Sequence, residues 1–230
     1  MAEAKDPREG KFELVPVRLT HPHLHVAHTP KQTKQNPTPR TQFQTGCIID
    51  SKLLTDETGR KLLGALLMEI KRVASEAFKD KAAGFMTKVL HSKQSPAGDI
   101  VSDSGIRSPF GDGAAKDFGP GTLTFNLRSD YPFALLDAKR NKVPVKETTV
   151  NGLIKAENPA LFYPGCYVSV WVRVGSYNNE GMGISLYPQA MKFDSDGERL
   201  DNRVDPNDLY GGPLDAGEKT NLDALIGAAG

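Results

Sequence analysis

The residues best suited to chemistry lie in one alternating segment, 166–174, where aromatic and cationic residues recur at every second position. Tyr167, Trp171 and Arg173, with Ser169 between them, alternate with a cysteine and four valines. Successive side chains of a β-strand point to opposite faces, so this pattern predicts a strand with an apolar inner face. On its outer face, the rings have the chemistry to stack on unpaired bases and the arginine to contact phosphates.

Other basic and aromatic residues are candidates for the same chemistry because they lie on predicted outer strand faces or in aperiodic loops. For each aromatic residue the alternative is ordinary packing under the helix or a loop, and Phe125, Phe162 and Phe193 are predicted to be core. The candidate binding residues are Trp171, Arg173, Tyr167, Arg128, Tyr187, Lys34, Arg40, Arg107, Phe110, Lys139 and Arg140.

The elements that must position these residues are mostly short strands. Segment 166–174 is predicted to begin the main hairpin, 162–193, because an Asn- and Gly-rich turn and a second alternating run follow it. Segments 12–19, 41–50 and 122–128 also alternate, and Pro16 marks an edge or a bulge in the first of them. The sequence therefore predicts a mainly β domain.

One segment has the apolar period of a helix instead of that of a strand. From about 56 to 83, leucines and other apolar residues recur every three or four positions, which predicts one long amphipathic helix packed on the strands. Two segments show no period: the proline-rich, basic 29–40, predicted to be a loop between paired strands, and about 85–121, predicted to be a lid or binding loop.

Four histidines, His21, His23, His25 and His28, are clustered within eight residues. A metal site is one interpretation, since imidazoles are common zinc ligands. No cysteine or carboxylate cluster accompanies them, and a proline interrupts the segment. A strand with polar side chains facing solvent or nucleic acid is therefore the favoured interpretation, and neither a metal nor a cofactor is predicted.

Composition and charge narrow the class of protein. Two cysteines, Cys47 and Cys166, lie in apolar strand patterns and are predicted to be buried free thiols. No apolar run is long enough to cross a bilayer and no hydrophobic signal core opens the chain, so no membrane role and a cytoplasmic location are expected.

Charge is distributed unevenly along the chain. Residues 193–230 hold nine acids and three bases, a net charge of −6, which leaves a net charge of +7 on the rest.

This asymmetry predicts a body that binds a polyanion and an acidic tail, 201–230, with little to bury. The tail is predicted to be disordered. It either competes for the binding surface or recruits partners, or it serves only solubility. Residues 1–10 are predicted to be a flexible terminus, and 11–200 the DNA-binding domain.

The segment 162–200, FYPGCYVSVWVRVGSYNNEGMGISLYPQAMKFDSDGERL, resembles the C-terminal signature of phage single-stranded-DNA-binding proteins. The similar features are Pro164-Gly165-Cys166-Tyr167, the hairpin, and Asp196-Gly197-Glu198-Arg199-Leu200. The resemblance continues more loosely through 122–143 and 41–78. It implies a five-stranded OB-type barrel with one inserted helix, long loops and a C-terminal tail.

The resemblance also implies a function: sequence-independent binding and protection of single-stranded DNA during phage replication or recombination, in the infected host cell and without enzymatic activity. It implies replication or recombination proteins as partners through the tail, although this tail ends without an aromatic residue. Two alternatives stay open, a protein-interaction or structural phage protein and, less favoured, a metal-dependent nuclease. Monomer and dimer are equally compatible with the sequence.

Overall fold

The alternating segments pair into one strongly curled sheet. The computed structural model describes residues 10–32, 38–50, 56–87, 99–101, 104–143, 146–150, 153–157, 161–179 and 181–201. Its strands are β1 (Phe12–His28), β2 (Gln42–Ile49), β3 (Asp99–Val101), β4 (Arg107–Asp112), β5 (Leu123–Ser129), β6 (Leu135–Leu136), β7 (Lys146–Val150), β8 (Leu153–Glu157), β9 (Tyr167–Tyr177) and β10 (Gly183–Ser195). The sheet has eight strands in the order β3-β4-β5-β2-β1-β9-β10-β6, and β7 and β8 form a separate ribbon.

The sheet bends until its two flanks touch. Apart from the main ladder, β4 meets β10 at one parallel residue pair, Arg107 opposite Gly183, where the Arg107 N–H donates to the Met182 carbonyl at 3.0 Å. One such pair is not a continuous ladder along two strands. The prediction of a closed five-stranded barrel is therefore wrong in its strand count and in its closure, whereas a mainly β fold with one long helix is confirmed.

The extra strands come from segments whose sequence has no period. Within the predicted loop 85–121, β3 and β4 pair with each other, and β4 pairs with β5 so that Phe110 lies opposite Phe125. Their rings meet edge to face at 6.2 Å, and Phe110 is 1% exposed. Phe110 is thus a core residue and not the loop aromatic that was predicted; its neighbours Pro109 and Gly111 obscure the strand pattern.

The long helix covers the open side of the sheet. Helix α1 (Glu57–Phe78) begins at Asp56, whose carboxylate accepts a hydrogen bond from the Gly59 N–H at 2.9 Å. Its apolar stripe, including the fully buried Leu66 and Ile70, packs against β1 and β9. A 3₁₀ turn (Lys79–Lys81) and the short α2 (Ala82–Thr87) follow, because Lys79 takes a positive φ of 47° that ends α1.

The core lies between α1 and the inner faces of the strands. The alternating valines of β9 are buried, as the sequence predicted, and so are Phe125, Phe162 and Phe193. Cys47 and Cys166 are buried free thiols, also as predicted, and burial raises the pKa of the Cys166 thiol to about 11. None of the helices in the described residues is long and apolar enough to cross a membrane.

Strand β1 lies at the centre of the sheet, between β2 and β9, and two prolines interrupt it. Its register with β9 shifts between Leu14 and Val17, so of the edge or bulge predicted at Pro16 the structure has the bulge. Its register with β2 shifts again between Thr20 and His23, beside Pro22. These bulges let proline, which has no N–H to donate, occupy a central strand.

The segments that carry the family signature meet in a corner that we call the clasp, defined by Arg18, Tyr163, Gly165, Tyr167 and Gly197. Gly165 has a φ of 113°, and a Cβ there would collide with the Glu198 carbonyl. The Tyr163 hydroxyl accepts a hydrogen bond from the Gly197 N–H at 2.9 Å. Arg18 donates to the carbonyls of Gly165 and Glu198 at 3.3 and 2.7 Å.

All these elements belong to one compact unit, Met1–Leu200. The predicted flexible residues 1–9 and nearly all of the predicted acidic tail, 202–230, lie outside the described residues.

Candidate nucleic-acid interface

A surface groove lies between the β4–β5 pair and the tip of the β9–β10 hairpin. Three cations and two tyrosines line it together with Asn126, and no aspartate or glutamate is among its lining residues. We define the groove by Arg107, Lys116, Asn126, Arg128, Tyr177 and Tyr187. Every charged residue that lines the groove is therefore a lysine or an arginine.

Strand alternation places the groove's polar residues. On β5, Phe125 and Leu127 point into the core, so Asn126 and Arg128 point outward and are exposed. Lys116 comes from the 3₁₀ turn Ala114–Lys116, and its ammonium donates to the Thr124 hydroxyl at 3.3 Å. This contact holds the lysine over β5 although the two residues belong to different elements.

Each of the two tyrosines packs against a glycine of the neighbouring strand of the hairpin. Gly183 is paired with Tyr177, and a Cβ on Gly183 would collide with the Tyr177 ring. In the same way, a Cβ on Gly175 would lie 2.6 Å from the Tyr187 ring. Each ring occupies the space that a side chain at the glycine would need, which holds the ring beside the groove.

Tyr187 also links the groove to the outer face of β9. The guanidinium carbon of Arg173 lies 5.2 Å from the centre of the Tyr187 ring, which is a cation–π contact between residues paired across the hairpin. Both side chains are exposed. An arginine beside an exposed ring supplies a charge for a phosphate next to a surface for a base.

The structure brings only some of the predicted site residues together. Arg107, Arg128 and Tyr187 line the groove, and Arg173 joins them through Tyr187. Trp171 is half-buried and lines a different cavity with Arg140, Lys192 and Glu13. There the charge is balanced, because Glu13 is present and Lys192 is paired with Asp194.

The remaining predicted site residues lie elsewhere. Tyr167 belongs to the clasp, where Arg18 covers its ring at 5.6 Å. Arg40 is exposed and 3.7 Å from Asp130, Lys139 lies in the exposed turn after β6, and Lys34 is outside the described residues. Phe110 lies in the core beneath the groove.

Three groove residues were not among the predicted binding residues. Asn126 shares the predicted outer face of β5 with Arg128, so alternation alone was a sufficient signal for it. Tyr177 is the last residue of β9, whereas the sequence predicted that it lies in a turn. Only the glycine opposite it marks its position. Lys116 lies in the aperiodic segment 85–121, where the sequence gives no direction for any side chain.

A second cavity adjoins the groove toward β1. It shares Asn126 and Arg128 with the groove and is also lined by three histidines, His21, His23 and His28. Among the described residues, no three His, Cys, Asp or Glu side chains are arranged to hold a metal ion.

Three solved structures of one phage protein resemble this chain. The single-stranded DNA-binding protein from bacteriophage Enc34 superimposes with a TM-score of 0.56 at 18% identity, over 88% of this chain and 91% of that chain. Its complex with single-stranded DNA gives 0.54 at 17% identity, over 84% and 91%. Its C-terminally truncated form gives 0.53 at 17% identity, over 84% and 90%.

No protein-family model and no curated protein sequence matches the chain. At such low identity the structural likeness establishes a common fold and not a common activity. The resemblance to phage single-stranded-DNA-binding proteins that the sequence indicated is therefore confirmed at the level of the fold.

Proposed function

We propose that the protein binds single-stranded DNA without sequence preference and that the groove is the principal contact. The observation that carries this proposal is the groove itself, in which three cations and two tyrosines lie together with no acid among the lining residues. Lysine and arginine release counterions from phosphates, and rings stack on bases of any sequence. The solved complex of the Enc34 protein with single-stranded DNA supports it.

The fold supports a more specific description. We propose that the curled sheet is an enlarged variant of the OB-type barrel, in which the parallel contact of β4 with β10 takes the place of a closing ladder. In this interpretation the binding face is the outer surface of β4 and β5, and the β9–β10 hairpin borders it.

The wider setting follows from the same proposal. The protein would coat single strands during phage replication or recombination in the host cytoplasm, as a binding protein and not as an enzyme. The acidic tail would compete for the groove or contact replication proteins; its charge supports this part of the proposal.

The test is the affinity for fluorescently labelled oligo-dT over a series of salt concentrations. For the triple variant Arg107→Ala, Lys116→Ala, Arg128→Ala, we expect the affinity at low salt to fall about a hundredfold. The slope of log affinity against log salt should become shallower by about 2, because each phosphate contact to a single strand contributes about 0.7.

A matched control removes the same charge from another surface. Arg60→Ala, Lys61→Ala and Lys81→Ala change exposed cations on α1 and the turn that follows it, and they should leave the salt slope unchanged. An equal loss in both triple variants would mean that net charge alone drives binding. If the unmodified protein fails to bind oligo-dT at low salt, the proposed function is wrong and a protein-interaction role becomes the better hypothesis.

Trp171 and Arg140 are proposed as a second contact for strands that extend beyond Arg173. Trp171 is the protein's only tryptophan, so its fluorescence reports on this cavity alone. Long oligo-dT should quench it, whereas oligonucleotides that fill only the groove should not. Quenching that is the same at every oligonucleotide length would contradict the order of these two contacts.

A further inference from the structure

Three histidines of β1 form the wall of the cavity that adjoins the groove. His21, His23 and His28 line it opposite Asn126 and Arg128, the two residues that the cavity shares with the groove. A DNA strand lying along β5 in the groove would therefore pass beside this histidine cluster, which we define as His21, His23 and His28.

The irregular backbone of β1 creates the cluster. The register with β2 shifts between Thr20 and His23 and again between His23 and His28. His21 has a φ of 46°, in the left-handed region that non-glycine residues rarely adopt. The result is that the rings of His23 and His28 stack in parallel, with their centres 4.1 Å apart and their planes 8° from parallel. In a regular strand, residues five apart would point to opposite faces.

The permanent charge that lines the cavity beside the stacked pair is positive. Arg128 of β5 faces the cavity and His21 lies beside the pair, whereas β2 contributes only the uncharged Gln44, Thr45 and Gly46. No carboxylate lines the cavity. The nearest one along β2 and β5 is Asp130, which accepts a hydrogen bond from Gln42, opposite His28, and pairs with Arg40.

The pKa of His23 reflects these surroundings. Burial lowers it first, and the neighbouring His28 and His21 lower it further. The stacked pair lies in a cavity lined by Arg128 and by no carboxylate that could stabilise a proton on it. A bound phosphodiester would supply an anion, and each imidazolium would then donate N–H groups to its oxygens.

We propose that the histidine cluster is a proton-linked subsite for one phosphodiester of the bound single strand. The proposal rests on the proposed function, since it concerns the strand in the groove. The phosphodiester stays anionic, and the proton comes from the solvent onto the stacked pair as the strand binds. Single-stranded DNA should thus bind more tightly as the pH falls toward 6.

Proton uptake on binding tests this directly. Oligo-dT is the probe, because thymine does not titrate between pH 6 and 8. Calorimetric titrations at about pH 6.5 in two buffers of different ionisation enthalpy should show net uptake by the unmodified protein. Its affinity should rise with falling pH by up to about tenfold per pH unit for each proton taken up.

The double variant His23→Gln, His28→Gln keeps polar side chains that do not titrate. We expect it to lose both the proton uptake and the pH dependence and to bind like the unmodified protein at pH 8. The triple variant Arg60→Ala, Lys61→Ala, Lys81→Ala should keep the uptake, because it alters charge without touching the cluster. Thermal unfolding checks that each variant folds, and His28→Gln alone, at the end of β1, replaces the double variant if that fails.

The outcomes separate the two proposals. Binding of oligo-dT by the unmodified protein without proton uptake overturns the subsite and leaves the groove in place, and so does unchanged uptake in the histidine variant. Failure to bind oligo-dT at any pH overturns both proposals.

Discussion

The clasp and the edge of the groove each place an arginine over a tyrosine ring, but in different surroundings. In the clasp, Arg18 lies over the Tyr167 ring, but its guanidinium donates to two backbone carbonyls and both side chains are partly buried. At the edge of the groove, the Arg173 guanidinium lies over the ring of the groove residue Tyr187, and both side chains are exposed. An arginine–tyrosine pair on an outer strand face therefore does not by itself indicate a binding surface. Only a pair whose side chains are exposed is available to a ligand.

The difference also changes the meaning of the sequence signature. The motifs at 164–167 and 196–200 are the most recognisable in the chain, and they join two distant backbone segments. Leu200 donates its N–H to the Pro164 carbonyl at 2.9 Å, beside the contacts of Gly165 and Gly197. The two motifs at the ends of segment 162–200 thus meet in the clasp, whereas the groove takes its residues from β4, β5, the β9–β10 hairpin and the turn Ala114–Lys116.

The largest effect should come from breaking the clasp. Gly165→Val places a side chain at a φ of 113° where its Cβ collides with the Glu198 backbone. We expect the free energy of unfolding to fall by about 3 kcal/mol or more. Urea denaturation measures it.

The matched control for this change is Gly119→Val. Gly119 also has a positive φ, 94°, but nothing lies within 4 Å of its missing Cβ. The free energy of unfolding of this variant should fall only by the cost of the strained backbone conformation, about 1 to 2 kcal/mol. If the two variants are equally stable, the backbone packing of the clasp contributes little.

The second prediction compares the loss of a groove tyrosine, Tyr187, with the loss of a clasp tyrosine, Tyr167. Tyr187→Ala should weaken oligo-dT binding by about 1 to 3 kcal/mol, or roughly 5- to 150-fold, at nearly unchanged stability, because the ring stacks on a base. Tyr167→Ala should reduce the free energy of unfolding by about 2 kcal/mol and leave the affinity of the folded protein unchanged. A loss of affinity in Tyr167→Ala, measured where the variant is fully folded, would move the binding surface toward the clasp.

The third prediction concerns His25, which lies near the clasp, whereas the other histidines of β1 lie beside the groove. His25 is buried against Phe162, next to the clasp residue Tyr163, and neither of its ring nitrogens has a hydrogen-bond partner. Burial lowers its pKa in the folded protein, so below about pH 6.5 the unfolded chain binds more protons and stability falls with falling pH.

Replacing His25 with a ring that cannot be protonated tests this. His25→Phe should reduce the loss of stability between pH 7 and 5, as measured by urea denaturation at several pH values, and should leave the pH dependence of DNA binding as it was. If the stability of His25→Phe still falls as steeply as that of the unmodified protein, His25 is not the titrating group.

The smallest effect concerns the acidic tail. Residues 201–230 carry six acids and two bases, so ending the chain at Leu200 removes four net negative charges. We expect oligo-dT to bind a few-fold more tightly at low salt and the gain to vanish at high salt, because screening suppresses such competition. Unchanged affinity at low salt would rule out competition between the tail and the groove.

Much of the scaffold was predictable because it depends on local period. The strict alternation of 166–174 gave β9 and its buried valines, and the three- and four-residue spacing of leucines gave α1. Alternation also placed Arg128 and Tyr187 on outer faces, where the structure has them. Burial of Cys47 and Cys166 followed from the apolar strands around them.

Only the tertiary structure decided which outer strand faces lie side by side and which elements cover them. A period of two assigns a side chain to a face, but it does not say which strand lies beside it. Trp171 and Tyr187 were therefore equivalent in the sequence, yet one lines a charge-balanced cavity and the other lines the groove. Phe110 entered the core because pairing of β4 with β5 turned it inward, and Lys116 reached the groove only through its contact with Thr124. These placements depend on long-range pairing and packing, which no local pattern encodes.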